Sequence, residues 1–217
     1  MRGVDVLATL KQATRSRVSG HVPPVRAGRR AKGQALHGAD VIEPIRIEAL
    51  TALFSGAFAP ARARLEDVSR LSSQPIGDTY LALAYFYSGS IERAQTMLES
   101  LAHHRSASTS ARASAALAGV LASQHHPAAA REHIERVLQG AYRDHHVAYS
   151  LGAAYAQLGD ADQADRWLRT AADTGFPCLP FFERDPLLEP LRGRPALADL
   201  LAYVRARREA LLSPGSP

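Results

Sequence analysis

Leu81, Leu117 and Leu151 each open a copy of the same pattern. Set in register, they bring Ala82, Ala118 and Gly152 into line, then Tyr85, Leu121 and Tyr155, then Ala94, Ala130 and Ala164, and finally Leu98, Ile134 and Leu168. The offsets are 36 and 34 residues. A fainter copy lies upstream, where Ala49, Gly56, Ala61, Leu65 and Val68 stand 33 residues before Ala82, Gly89, Ala94, Leu98 and Leu101. Self-similarity at this period describes a unit too small to bury its own apolar face, so neighbouring units must stack on one another.

Within each unit apolar residues recur at three- and four-residue intervals on both sides of a break, which predicts two helices joined by a tight turn. The breaks are Gly56, Gly89, His125-His126-Pro127 and Gly159. Glycine supplies a left-handed helix stop. Ser90 and Asp160 suit the N-caps that follow, with Gln163 spaced for a capping box. Pro127 suits a first helical position, where its missing N–H costs nothing. Forty of the 217 residues are alanine and only 6% are aromatic, a composition of small helix-formers that lets helices approach closely. Small residues at Ala82, Ala118 and Gly152 then face the larger Leu98, Ile134 and Leu168 of the second helices. The expected fold is all-α: an α-solenoid of three to four helix-turn-helix repeats at about 42–74, 75–110, 111–144 and 145–178.

The unit holding Leu151-Gly152, Tyr155, Gly159, Ala164 and Ala171 resembles the tetratricopeptide repeat. Further residues widen the resemblance. Tyr142-Arg143-Asp144-His145-His146-Val147-Ala148-Tyr149 and the later Gly175-Phe176-Pro177-Cys178 and Phe181-Phe182-Glu183-Arg184-Asp185-Pro186-Leu187-Leu188 are similar to the C-terminal repeat region of bacterial eukaryotic-type Ser/Thr protein kinases and related signalling proteins. The resemblance implies a sensor or docking portion of a signalling protein, with no catalysis of its own because no kinase portion is present.

Beyond Ala171 the text changes. Pro177, Pro180, Pro186, Pro190 and Pro195 break any long helix, while Phe181, Phe182, Leu187, Leu188 and Leu191 provide apolar anchors. Residues 179–213 are therefore expected to form an ordered connector and a C-terminal capping helix over 196–212, with Leu197, Leu200, Leu201, Val204 and Leu211 on its apolar face. Ser213 to Pro217 are expected to fray.

The net charge of +5 is unevenly distributed. Residues 1–40 carry eight Arg or Lys against Asp5 and Asp40, whereas residues 41–217 carry 18 basic and 19 acidic residues. A near-neutral body gives no electrostatic basis for duplex binding, so nucleic acid is not expected as its partner. The basic stretch 1–41 is expected to be a disordered extension, with room for a short amphipathic helix only over residues 4–16. Arg15, Arg17, Arg26, Arg29, Arg30 and Lys32 support an alternative, in which the tail acts as a nucleic-acid or membrane-surface adaptor. Val4 to Leu10 make a poor signal-peptide core and no run of 18 apolar residues occurs, so no membrane span is expected. A single cysteine, Cys178, excludes an intrachain disulfide and fits a cytoplasmic setting.

Few residues point to chemistry. The pairs His103-His104, His125-His126 and His145-His146 place adjacent rings about 100° apart on a helix, which is poor geometry for one metal ion. No phosphate loop, HExxH helix or Gly-x-Ser-x-Gly elbow is present. Cys178 has no base beside it in sequence. The chain is read as a non-enzyme with no cofactor and no metal. Its remaining candidate site is the concave groove lined by first helices, where the repeat register places Thr79, Leu83, Phe86, Tyr87, Arg112, Ser123, His146, Tyr149 and Gln157. Arg112 suits an acidic group, and Phe86 and Tyr149 suit apolar side chains, so the expected partner is a protein or peptide segment. The Lys and Asn that clamp a terminal carboxylate in chaperone-binding members of the resembled family are absent.

Overall fold

In the computed structural model, residues 38–213 are described, apart from residue 73, and every regular element among them is helical. Four helix pairs follow in order: α1 (Gly38–Phe54) with α2 (Phe58–Leu71), α3 (Pro75–Tyr87) with α4 (Ile91–Ala102), α5 (Ala107–Ser123) with α6 (Pro127–Gln139), and α7 (His145–Gln157) with α8 (Ala161–Asp173). A short α9 (Leu179–Arg184), a 3-10 turn (Pro186–Leu191) and α10 (Pro195–Leu212) complete the chain. Each helix packs on the next from α1 to α6, α7 packs on α8, and α5 also lies against α3 and α7. The fold is all-α, consistent with an α-solenoid.

Local sequence explains the turns. Gly56, Gly89 and Gly159 have φ of +78°, +85° and +79° at the ends of first helices. The third hairpin reaches the same conformation without glycine: His125 has a φ of +63°, the only positive value for a non-glycine residue among the described ones. Side-chain caps are uneven. Ser106 accepts from the Thr109 N–H at 3.5 Å, Asp144 from the Val147 N–H at 3.0 Å and Asp160 from the Gln163 N–H at 3.1 Å. Ser90, expected to cap α4, stands at the N-cap position but makes no side-chain cap bond.

Small residues sit where close approach requires them. A Cβ built on Gly152 would lie 2.6 Å from Leu168 Cγ, so α7 and α8 meet at a distance that only glycine allows. Leu53, Leu98, Leu117, Leu151 and Leu168 are fully buried in the helix interfaces. Each contributes roughly 1.5–3 kcal/mol by leaving water.

Two expectations need correction. The first helix begins at Gly38, ahead of residue 42, and accommodates Pro44 inside it. In α10, Leu197, Leu200 and Val204 are buried as expected, but Leu211 is 41% exposed, because the last turns of that helix extend past the core. α10 is anchored instead through α8: the Tyr203 hydroxyl donates to Asp173 at 2.7 Å, Arg207 pairs with Asp173 at 2.8 Å, and the Arg169 guanidinium lies 4.6 Å from the Tyr203 ring centre.

No helix among the described residues is long and apolar enough to cross a membrane. The expectations for the basic stretch 1–37 and for residues 214–217 lie outside the described residues.

Candidate functional site

The segment from Phe176 to Leu191 does not extend the stack of hairpins. It turns back across the first helices as a strap, touching α1, α5 and α7 and bonding to α3. The Cys178 thiol donates to the Phe54 carbonyl at 3.3 Å, at the end of α1. Arg184 donates to the Ser55 carbonyl. Gln157, at the end of α7, donates its amide to the Leu187 carbonyl at 2.8 Å. On α5, a Cβ added to Gly119 would lie 3.2 Å from Leu187 Cδ1, so the glycine leaves the space that the leucine side chain fills.

Asp185 holds the middle of the strap. It is completely buried, and its Oδ2 accepts the hydroxyls of Tyr87 at 3.0 Å and Tyr149 at 2.7 Å. Its Oδ1 caps the 3-10 turn by accepting the Leu187 N–H at 2.8 Å. One carboxylate thus joins α3 to α7. Burial pushes Asp185 up to about 6, against the opposing pull of the Leu187 N–H, the two hydroxyls and the Arg192 charge. Burial and the neighbouring Asp185 charge raise both tyrosines well above their ordinary value, so each remains a donor. Phe181 packs beside them, with ring centres 5.1 Å from Tyr149, 5.4 Å from Phe54 and 5.7 Å from Tyr87.

A second polar cluster stands next to the strap. Arg112 on α5 donates through Nε to Asp144 at 3.0 Å and through Nη2 to the same oxygen, which also accepts the Tyr142 hydroxyl at 2.9 Å. Burial alone would raise Asp144, but the Arg112 charge and the Val147 N–H hold it down at about 2. The Arg112 Nη1 group reaches the Tyr80 hydroxyl at 3.5 Å, and burial pushes Tyr80 up to about 12. His146 stacks on Phe54 with 5.6 Å between ring centres. Burial, and then the charges of His145 and Arg112, hold it well below imidazole's ordinary value, so it is neutral at pH 7.

The residues expected to line the groove divide accordingly. Thr79, Leu83, Tyr87, Arg112, His146 and Tyr149 surround one cavity, which Phe181 and Leu187 of the strap help to close. Thr79 is buried and donates to the Pro75 carbonyl at 3.2 Å. Tyr149 is buried under the strap, and Gln157 is engaged by it. Phe86 and Ser123 lie outside this cavity; the Ser123 hydroxyl donates to the Val120 carbonyl of its own helix at 2.7 Å. The groove read from the repeat register as open to a partner is therefore occupied over much of its length by the chain itself. Sequence reasoning named Phe181 and Leu187 as anchors of the connector without placing them against the groove, and it gave Asp185 no role, although an acid before a proline, preceded by two phenylalanines, carries the signature of a capped and anchored turn.

The cavity left beside the strap measures about 30 Å³. That is room for a water molecule or two, whereas a benzene-sized guest needs about 150 Å³. Among the described residues no group of three or more His, Cys, Asp or Glu is arranged to hold a metal ion. Cys178 is buried and its thiol is pushed up to about 12, which keeps it protonated and unreactive.

The chain matches no family model, no curated protein and no solved structure.

Proposed function

We propose that this chain is a non-catalytic scaffold of tetratricopeptide-like hairpins that engages a segment of a partner protein on the face shared by its first helices. One observation carries the reading: that face already holds a peptide segment, the strap, in the way a receptor holds a ligand. Side-chain donors from α3 and α7 grip a carboxylate, Gln157 grips a backbone carbonyl, and Gly119 leaves space for a leucine. Rigid stacked helices lower the ordering cost of such binding. The resemblance to kinase-linked repeats favours a signalling partner in a bacterial, cytoplasmic setting.

The test is affinity capture at physiological salt with the full chain, a variant lacking residues 1–37, and a Leu83→Glu, Ser150→Glu variant. Both substituted positions line the cavity and are only partly buried, and helical circular dichroism of the variant checks that it folds before capture is scored. The reading requires the first two proteins to capture the same partner and the third to lose it. Capture that depends on residues 1–37, falls steeply with salt, or brings nucleic acid with it would instead support the adaptor reading of the basic stretch.

A further inference from the structure

We infer that the pocket between the start of α5 and the end of α6 is a small-molecule site, and that it takes a carboxylic acid with an apolar body of about benzene's size and a neutral oxygen at its far end. The pocket shares no residue with the cavity beside the strap, so the inference goes beyond the scaffold reading and does not depend on it.

Ser114 carries the argument. It is 1% exposed, it lines a pocket of about 150 Å³, and its Oγ has no hydrogen-bond partner. A buried hydroxyl left unpaired is costly, and the other two hydroxyls of the pocket are served: Ser110 donates to the Ala102 carbonyl at 2.6 Å and Tyr142 to Asp144 at 2.9 Å. The space itself comes from small residues. Ala107, Ala111 and Ser114 recur along one face of α5 opposite Val137 and Ala141, where longer side chains would close the gap. About 150 Å³ is the size of cavity that holds a benzene molecule.

Exposure gives the pocket a direction. Ser114 and Val137 are buried and form the floor, whereas Ala107, Arg136 and Ala141 are exposed and form the rim. None of the ion pairs among the described residues includes Arg136, so its guanidinium is free to meet an anion. The ligand's charge belongs at that rim. On the floor a carboxylate would be stripped of water with one hydroxyl in exchange; beside Arg136 it gains a charged donor and keeps part of its hydration. The Ser114 hydroxyl then suits a neutral hydroxyl or carbonyl oxygen, with the apolar body packed between Ala111 and Val137.

The probes are para-hydroxybenzoate, benzoate, which lacks the floor oxygen, and para-hydroxybenzyl alcohol, which lacks the charge. Each is titrated into the isotope-labelled full chain and followed by the amide chemical shifts in nuclear magnetic resonance spectra. Saturable shifts should centre on residues 107–114 and 136–142. Para-hydroxybenzoate should bind about three- to tenfold more tightly than benzoate and about tenfold more tightly than the alcohol. Ser114→Ala deletes an unpaired hydroxyl and should abolish the advantage over benzoate while leaving benzoate's own affinity unchanged. Arg136→Gln, at an exposed position, should abolish the advantage over the alcohol. Ala111→Leu fills the pocket from its wall without touching either polar group and should remove binding of all three.

No saturable shift with para-hydroxybenzoate would mean that water alone serves Ser114, and would overturn the inference. Shifts centred on the strap cavity, or an advantage over benzoate that survives Ser114→Ala, overturn it equally. Circular dichroism separates loss of fold from loss of binding; should Ala111→Leu lose helix, the Ser114→Ala comparison decides.

Discussion

Tyr149 donates its hydroxyl to Asp185 at 2.7 Å across 36 residues of sequence, and the acceptor is a carboxylate with no solvent exposure and no guanidinium or ammonium bonded to it. Neutral hydroxyls and one amide satisfy its lone pairs. Such an acid fixes geometry at an electrostatic cost, and the cost depends on pH.

Burial raises Asp185 from 3.8 to about 6, so the sign of its linkage is the reverse of a salt-bridged acid. Its contribution is fully present below about pH 4 and is lost as pH rises through 6, a loss of up to about 3 kcal/mol. Asp144, held at about 2, behaves oppositely: its contribution is present above about pH 4 and is lost as pH falls toward 2. Urea midpoints measured from about pH 4 to 7.5 should fall more steeply for the unmodified chain than for Asp185→Asn. Parallel curves would mean that folding leaves the ionisation of Asp185 unchanged.

The Arg112–Asp144 pair is nearly enclosed, with side chains 13% and 7% exposed. Breaking a buried pair by removing one partner costs about 3–5 kcal/mol. Asp144→Ala should approach that range, because it strands Arg112 and also removes the α7 cap. Arg112→Met should cost less, since Tyr142 and the Val147 N–H still serve Asp144. A double-mutant cycle in guanidinium chloride should return a coupling of about 1–3 kcal/mol; additivity would mean that the pair contributes little.

Gly152→Ala drives a methyl group to within 2.6 Å of Leu168 and should destabilise by about 1–3 kcal/mol. Shortening the opposing side chain relieves the clash, so Leu168→Ala should cost less in the Gly152→Ala background than alone. Thermal unfolding of the four proteins of that cycle provides the check.

The helical hairpins were legible because each has two local signals that agree: apolar spacing on either side of a break, and a residue suited to the turn. Gly56, Gly89 and Gly159 show this in their φ values. The course of the strap was not legible. Proline spacing and apolar anchors mark residues 176–191 as ordered, but nothing local states which surface they cover. That depends on a carboxylate meeting two hydroxyls from helices two hairpins apart, a relation without periodicity. Consequently the repeat register places Tyr149 on the face shared by the first helices, yet gives no sign that the chain's own strap buries it. Ser90 failed as a cap for a smaller reason: position permits the bond, but the side chain does not make it.

His125→Gly isolates the one turn built without glycine among the four described hairpins. An L-residue with a side chain held at a φ of +63° carries about 1–2 kcal/mol of strain, part of which glycine's greater unfolded-state entropy cancels. The substitution should raise stability by up to about 1 kcal/mol in urea. A lowered midpoint would mean that the imidazole makes a compensating contact.

The strap also changes how the chain must assemble. Stacked repeats ordinarily behave as a one-dimensional array that can fray from either end and grow from any interior unit. In this chain Cys178 and Arg184 reach back 124 and 129 residues to the carbonyls that close α1. The hairpin of α1 and α2 and the strap therefore share contacts, and the array is closed into a loop that gains or loses them together. During synthesis α1 to α8 emerge with their inner face unsealed, and the closing contacts wait for the strap that follows them to leave the ribosome. Unfolding should accordingly be a single transition, the same when followed at Trp167 in α8 as by helical circular dichroism, where an unstrapped array would peel apart in stages.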